Sequence, residues 1–452
     1  MVADSSAQAW IGGAYTTSKD NIEAAISSCY KVQKQWSSTT LEERKLVLRR
    51  AAGHLHAAKE KLARSFVEEV GVSHQFAMFN IDTSIGMFDE LLNVVDETLK
   101  SRKLELSHGD HAIVSRVPFG VVLAIAPWNA AIILSCRALL TPILCGNSCV
   151  MKGSEISPQT HLIWGEIFKN AGLPDGVLNI IIVPRAQASE ATERLISDDR
   201  IRHVNFTGST AIGRIIGGLC GKHLKPVILE LGGKAPVIVA QDANLEAAAS
   251  HCLLGGWLNQ GQICMSTERV FVVASAYDKF TKYLRNLAAK SGLRQSGLSL
   301  VNPSATEKYK RLLENAIAAG ATLLSGDLSG SVPTILADVT PTMHIYTEES
   351  FAHTFYVIKV HDIDEAIEFA NSSRYGLSSA VFTEDLASGI IIGNRLEAGA
   401  THINVMTVQD EPNVPHGGFK DSGYGRFNSV EGIMSFSQVK VVTVHHSSIA
   451  HT

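Results

Sequence analysis

Short apolar runs alternate with helical stretches between residues 121 and 231, and this rhythm constrains the fold more than any other feature of the chain. The run 121–126 reads VVLAIA and has no polar residue on either side. A strand with one wet face alternates polar and apolar residues, whereas a strand covered on both faces does not. Further runs occur at 148–151, 177–183, 204–206 and 227–231. Helical patterns fill the gaps at 130–144, 158–170 and 189–196, and one starts at Ser209. Strand–helix alternation of this kind implies an α/β fold with a parallel sheet wrapped on both faces. The stretch from Asn244 to about His416 repeats the alternation less regularly and reads as a second α/β unit. The first hundred residues are mostly helical, over 21–36, 41–70 and 75–100, with Thr40 and Glu43 marking a helix start.

Composition narrows the function classes. Of 452 residues, 45% are hydrophobic, enough for large cores, so disorder is not expected. The formal net charge is -4 and there is no long basic run, which gives a nucleic-acid role little support. No run reaches the length of a membrane span, and 1–19 lacks the apolar core of a signal peptide. The seven cysteines contain no CxxC pair and no HExxH occurs, so neither a disulfide scaffold nor a metal site is expected. Cys145 and Cys149 sit between apolar runs and read as buried. A soluble cytoplasmic protein without membrane or nucleic-acid partners is the expectation.

Several strand ends carry candidate chemistry. Cys264 follows the polar frame Asn259-Gln260-Gly261-Gln262, after a helix capped at 242–244 and before an apolar strand over 269–274. A lone cysteine is usually a small buried hydrophobe; the polar frame points instead to a thiolate that attacks a carbonyl. Glu230 closes an apolar strand and precedes Leu231-Gly232-Gly233-Lys234. It is either a general base whose pKa partial burial would raise, or the partner of Lys234 in a salt bridge. Asn129, in Pro127-Trp128-Asn129, is either an oxyanion donor or a helix cap. Gly208, Ser209, Thr210 and Gly213 form a strand-to-helix turn whose N–H groups, with the Ser209 hydroxyl, suit a pyrophosphate, although no GxGxxG is present. Lys152, Ser154 and Glu155 follow another strand end. Lys152 and Glu155 there suit ribose hydroxyls, and Glu155 would repel a 2′-phosphate.

Together these stretches resemble the aldehyde dehydrogenase superfamily. The matching segments are PWN at 127–129, MKGSE at 151–155, FTGST at 206–210, ELGGKAP at 230–236, GQIC at 261–264, EESF at 348–351 and GYGRF at 423–427. The resemblance implies two Rossmann-like parallel-sheet domains plus a small oligomerisation hairpin. It divides the chain into an NAD-binding domain at 1–241 with a hairpin at about 101–118, a catalytic domain at 242–415, and a return to the cofactor domain at 416–452 ending in an oligomerisation strand. It implies Cys264 as nucleophile, Glu230 as general base and Asn129 as oxyanion donor. It places Ile125, Trp128, Lys152, Ser154, Glu155, Gly208, Ser209, Thr210, Gly213, Leu231, Glu349 and Phe351 around the cofactor, NAD rather than NADP. The implied reaction oxidises an aldehyde to the acid through a thiohemiacetal and a thioester on Cys264. The segments ICMSTERV, HINVMTVQDEP and PHGGFKDSGYGRF resemble the salicylaldehyde, benzaldehyde and vanillin dehydrogenase branch, which implies an aromatic aldehyde. A homodimer or homotetramer is implied as well.

The chain departs from the pattern in places. Ala352-His353 stands where Gly-Pro usually follows EExF, a change expected to displace Glu349. The stretch 291–302 is shorter than usual, and the strands before Asn21 are reduced to a remnant at 9–15; Phe427 stands where many members of the resembled family carry a glutamate, a change its aromatic-aldehyde branch tolerates. These departures motivate alternatives: a thiol esterase or acyltransferase working without cofactor, a weakly active or inactive relative, or a non-catalytic protein that keeps the fold.

Overall fold

The computed structural model describes residues 9–16, 20–107, 110–291 and 300–445. Strands Val121–Ile125, Ser148–Gly153, Leu178–Ile182, Ile201–Thr207 and Val227–Glu230 run parallel in one sheet. From 121–125 the chain steps outward through 148–153 and 178–182, then crosses back to place 201–207 on the other side of 121–125. Such a reversal opens a crevice at the carboxyl ends of the strands on either side of it. Asn129 and Gly208 follow those two strands. The helix Ala131–Leu144 is buried along its whole length, packed between the sheet and the helices Leu41–Ala57 and His74–Leu99. Its apolar residues therefore ring the helix instead of forming a stripe.

A second sheet runs Thr322–Ser325, Thr334–Ala337, Thr354–Val360, Thr267–Val273, Ala235–Val239, Ser378–Phe382 and Ala400–Ile403. All its pairings are parallel except that of Thr322–Ser325. Ala235–Val239 belongs to this sheet, so the chain changes sheet within Leu231-Gly232-Gly233-Lys234, upstream of the division expected after 241. The two strands flanking that tetrapeptide are equally apolar and no linker separates them, so hydropathy alone does not mark the change. Near its end the chain returns to the first sheet, where Gly423 pairs with Glu230.

Residues 41–70 form two helices, Leu41–Ala57 and Lys59–Val70, because the chain turns at Ala58. Thr40 and Glu43 form a reciprocal capping box. The N-terminal remnant is a hairpin, Ala9–Ile11 and Ala14–Thr16, on the edge beside Leu178–Ile182. Strands Arg102–Glu105, His111–Pro118 and Ser437–Val444 form a separate antiparallel sheet. Residues 292–299, most of the shortened stretch, lie outside the described residues. No helix among the described residues is long and apolar enough to cross a membrane.

Candidate active site

Cys264 is held by the loop that enters the second sheet. The helix Leu245–Trp257 leads into a tight turn at Leu258–Gly261, where Asn259 and Gln260 adopt positive φ. The strand Thr267–Val273 begins just past the cysteine. Glu230 ends its strand in the first sheet and is almost completely buried, 1% exposed. The two sheets thus present their residues to each other, and Cys264 Sγ lies 3.4 Å from Glu230 Oε1. Two glycines permit this approach. A Cβ on Gly233 would strike the Cys264 carbonyl, and one on Gly232 would strike the Glu349 carboxylate.

Glu230 does not pair with Lys234, which instead binds the buried Glu268. Its partners are Arg137 Nη1 at 3.0 Å and Thr207 Oγ1 at 3.2 Å, both on Oε2, and His416 Nε2 at 3.2 Å from Oε1. The His416 approach is close but is not aligned as a hydrogen bond, since that nitrogen has no hydrogen-bond partner. Arg137 also binds Asp410, and Asp410 Oδ1 lies 3.9 Å from His416 Nδ1. Burial disfavours charge on Glu230, but His416 and Arg137 outweigh it and hold the carboxyl below the usual range. The sequence reading expected burial to raise it; two buried bases beside it reverse the sign. Burial, and then the Glu230 charge, push the Cys264 thiol well up. The resting pair is therefore a thiol facing a carboxylate.

Asn129 is not a helix cap. The cap position of Ala131–Leu144 is Ala130, with no side-chain bond. Asn129 Nδ2 donates to the Gln262 carbonyl at 3.0 Å, and Asn259 Nδ2 donates to the Asn129 carbonyl at 3.1 Å. The amide carries two hydrogens, so one remains for another acceptor.

Asn129, Glu230 and Cys264 line two cavities. One, of about 380 Å³, is also bordered by Trp128, Gly208, Ser209, Leu231, Glu349 and Phe351. The Trp128 and Phe351 rings meet edge to face at 6.0 Å. The other, of about 520 Å³, is walled by Phe76, Phe79, Ile133, Met265 and Val408, and Arg137 and Asp410 also line it. The sulfur sits where the two meet.

Ile125, Lys152, Ser154, Glu155, Thr210 and Gly213 do not line either cavity. Ile125 and Lys152 are register partners at the same sheet edge, and burial lowers the Lys152 pKa. Ser154 Oγ accepts from Ile156 N at 3.2 Å. Gly213 lets its helix approach Leu231, whose side chain a Cβ would strike. The Ser209 hydroxyl accepts from Ile212 N at 3.4 Å as a helix cap, and Thr210 Oγ1 donates to the Asp421 carbonyl at 3.2 Å. Both hydroxyls are engaged, so an anion at this turn would rely on the first backbone N–H groups of the helix Thr210–Lys222. Those donors, the adjoining cavity and the glycine-thinned wall at 232–233 fit a dinucleotide.

Ala352-His353 does not dislodge Glu349. Ser350 N and Oγ donate to Glu268 Oε2 at 3.0 and 2.7 Å, Lys308 donates to the Glu349 carbonyl at 2.7 Å, and Gly233 N donates to Glu349 Oε1 at 2.9 Å. His353 is buried against Tyr309, ring centroids 5.2 Å apart. Burial, and then the Glu268 charge, raise Glu349 to about 7. Glu268, which fixes this loop, was not singled out from the sequence. Neither were Arg137, Asp410 and His416. Arg137 had a readable signal: it is the one charged residue in the apolar helix Ala131–Leu144, and a buried charge needs a partner.

Comparisons with known proteins agree with this geometry. The model of the aldehyde dehydrogenase family matches residues 2–442. A vanillin dehydrogenase of Pseudomonas fluorescens is 39% identical over 439 residues, 94% of this chain and 90% of its own. A salicylaldehyde dehydrogenase of Pseudomonas putida is 37% identical over 445 residues, 95% of this chain and 91% of its own. The crystal structure of a salicylaldehyde dehydrogenase from Pseudomonas putida G7 complexed with salicylaldehyde superposes with a TM-score of 0.93 at 33% identity, covering 97% of this chain and 98% of that one.

Proposed function

The chain belongs to the aldehyde dehydrogenase family, and on that premise we propose that it oxidises aromatic aldehydes to carboxylic acids with NAD. The observation that carries this reading is the thiol at the junction of two cavities, one fitted to a dinucleotide and one walled by aromatic and apolar side chains. The vanillin and salicylaldehyde dehydrogenases it resembles support the aromatic substrate. A flat ring suits the Phe76 and Phe79 wall.

Glu230 takes the Cys264 proton across 3.4 Å, and Sγ attacks the aldehyde carbon. The free Asn129 amide hydrogen, with the Cys264 backbone N–H, holds the developing oxyanion. NAD, when bound, supplies the acceptor for the hydride. Glu230 then takes a proton from water, whose oxygen attacks the thioester carbon; the C–S bond breaks and the acid leaves. Gly208, Ser209, Thr210 and Gly213 would face the pyrophosphate. Ile125, Lys152, Ser154 and Glu155 would face the adenosine, and Trp128, Leu231, Glu349 and Phe351 the nicotinamide half. The sheet formed with Ser437–Val444 exposes Val439 and Val441 and supports pairing with a second copy, in a dimer or tetramer.

The test is NADH formation from benzaldehyde, salicylaldehyde, vanillin and short aliphatic aldehydes, assayed with both coenzymes. Aromatic substrates with NAD should give the highest kcat/KM, and a folded enzyme that oxidises none of them rules the reading out. Glu155→Ser should shift the NAD-to-NADP preference toward NADP by about tenfold, since one like-charge contact near a surface is worth about 1–4 kcal/mol. Glu349, raised to about 7, is an ionised acceptor above that pH and a neutral acid below it. The KM for NAD should therefore fall as pH rises through 7, and Glu349→Gln should flatten that dependence.

A further inference from the structure

We propose that His416 is the proton outlet of Glu230: it accepts the proton that the carboxylate collects and passes it toward Asp410 and the apolar cavity. The inference rests on the function proposed above, in which Glu230 takes a proton twice in each turnover. A base that works twice must be emptied in between, and Glu230, 1% exposed, meets solvent only through the cavities that it lines.

Among the described side chains that touch Glu230, His416 is the one with a lone pair to take up its proton. Arg137 has no lone pair to offer, and Thr207 contributes a hydroxyl that does not take up a proton near neutral pH. Both occupy Oε2. On Oε1 stand Cys264, the source of the first proton, and His416 Nε2 at 3.2 Å. That nitrogen is buried and has no hydrogen-bond partner. On the far side of the ring, Nδ1 faces Asp410 Oδ1 at 3.9 Å, and Asp410 lines the apolar cavity. The groups around the ring are Glu230, Asp410, Arg137, which binds both carboxylates, and His402, whose charge is disfavoured by burial and then by His416. The backbone of His416 is pinned by reciprocal bonds with Phe427, at 3.0 and 2.8 Å. Phe427 carries no ionisable group, so His416 and Asp410 supply the ionisable groups on this side.

The step balances. Water gives its proton to Glu230 Oε1 as its oxygen bonds to the thioester carbon, and the C–S electron pair leaves with Sγ. The proton then moves from Oε1 to the Nε2 lone pair, which restores the carboxylate. The imidazolium loses a proton from Nδ1 toward Asp410. Histidine suits the task because it changes charge within the pH range where enzymes work.

His416→Gln and His416→Asn separate this role from simple packing. With 4-nitrophenyl acetate and no coenzyme, the nitrophenolate burst reports acylation and the steady rate reports release of the acyl group. In both variants the burst rate should fall far less than the steady rate, the smaller loss reflecting the changed surroundings of Glu230. The steady rate should drop by about tenfold to a hundredfold, within the usual range for a lost proton-transfer partner. Added imidazole should restore part of it. The pH profile of the steady rate should lose one ionisation, and stopped-flow NADH formation from benzaldehyde should show the same split. An unchanged steady rate in both variants overturns the proposal, as does an equal loss of burst and steady rate. A wild-type enzyme that hydrolyses the ester but forms no NADH overturns the proposed oxidation and leaves the His416 result readable.

Discussion

Cys264→Ala is expected to abolish NADH formation with every aldehyde, a loss of at least ~10⁴-fold, because removing the attacking group removes the covalent route itself. The fold should tolerate the change. Cys264 is only partly buried and its one side-chain bond is the contact with Glu230. A substitution that opens little space and strands no buried donor typically costs about 1 kcal/mol. The variant should therefore stay folded and bind NAD with unchanged affinity by calorimetry or fluorescence quenching. That pair of results separates lost chemistry from lost structure. Glu230 is held below the usual carboxylate range mainly by His416 and Arg137, which the substitution leaves in place. In Cys264→Ala the carboxylate also loses a thiol partner, so only small changes at Glu230 should follow. An alanine variant that still formed NADH within tenfold of the wild-type rate would show that another group attacks the aldehyde.

The legible part of this site is the part built from strand ends. Asn129, Gly208 and Glu230 each close an apolar run, and the alternation that predicts a parallel sheet also predicts that such positions gather at one edge. Cys264 was legible for a different reason: a polar loop between a helix and an apolar strand has no structural need of a thiol. The illegible part depends on contacts between distant segments. Nothing in the sequence near Glu230 says that its partner will be Arg137 rather than Lys234. Lys234 lies four residues away, but it is drawn off by Glu268, whose strand begins beyond the nucleophile loop. The same long-range anchor explains why Glu349 keeps its place beside Ala352-His353: the loop is fixed by Glu268 through Ser350 and Phe351, not by a rigid Gly-Pro turn. The sign of the Glu230 shift was missed for this reason as well. Burial can be guessed from an apolar strand, but Arg137 and His416, which outweigh it, come from distant parts of the chain.

Arg137→Met is expected to cost more stability than any other single change considered. Arg137 is 3% exposed and binds Glu230 on one nitrogen and Asp410 on another. Methionine matches the length of the stem and packs readily beside Phe427, over which the guanidinium now lies at 5.8 Å. The loss is therefore electrostatic rather than a cavity. Removing one partner from a buried ion pair costs about 3–5 kcal/mol, because the remaining charge stays desolvated. Here two carboxylates are left. The effect should depend on pH in a definite direction. A carboxylate whose folded pKa is depressed adds stability above its unfolded pKa, and that stability is lost as pH falls through the folded value. Glu230 is such a group in the wild type. In the variant its depression is reduced, so the gap in urea midpoint between the two proteins should be widest at neutral pH and should close as the pH drops below about 4, near the ordinary carboxylate pKa. A gap that stayed constant with pH would mean that Arg137 acts through packing alone. Arg137→Lys keeps the charge but not the fork that reaches both carboxylates, and it should recover part of the stability; full recovery would show that the bridge between Glu230 and Asp410 contributes nothing beyond its charge.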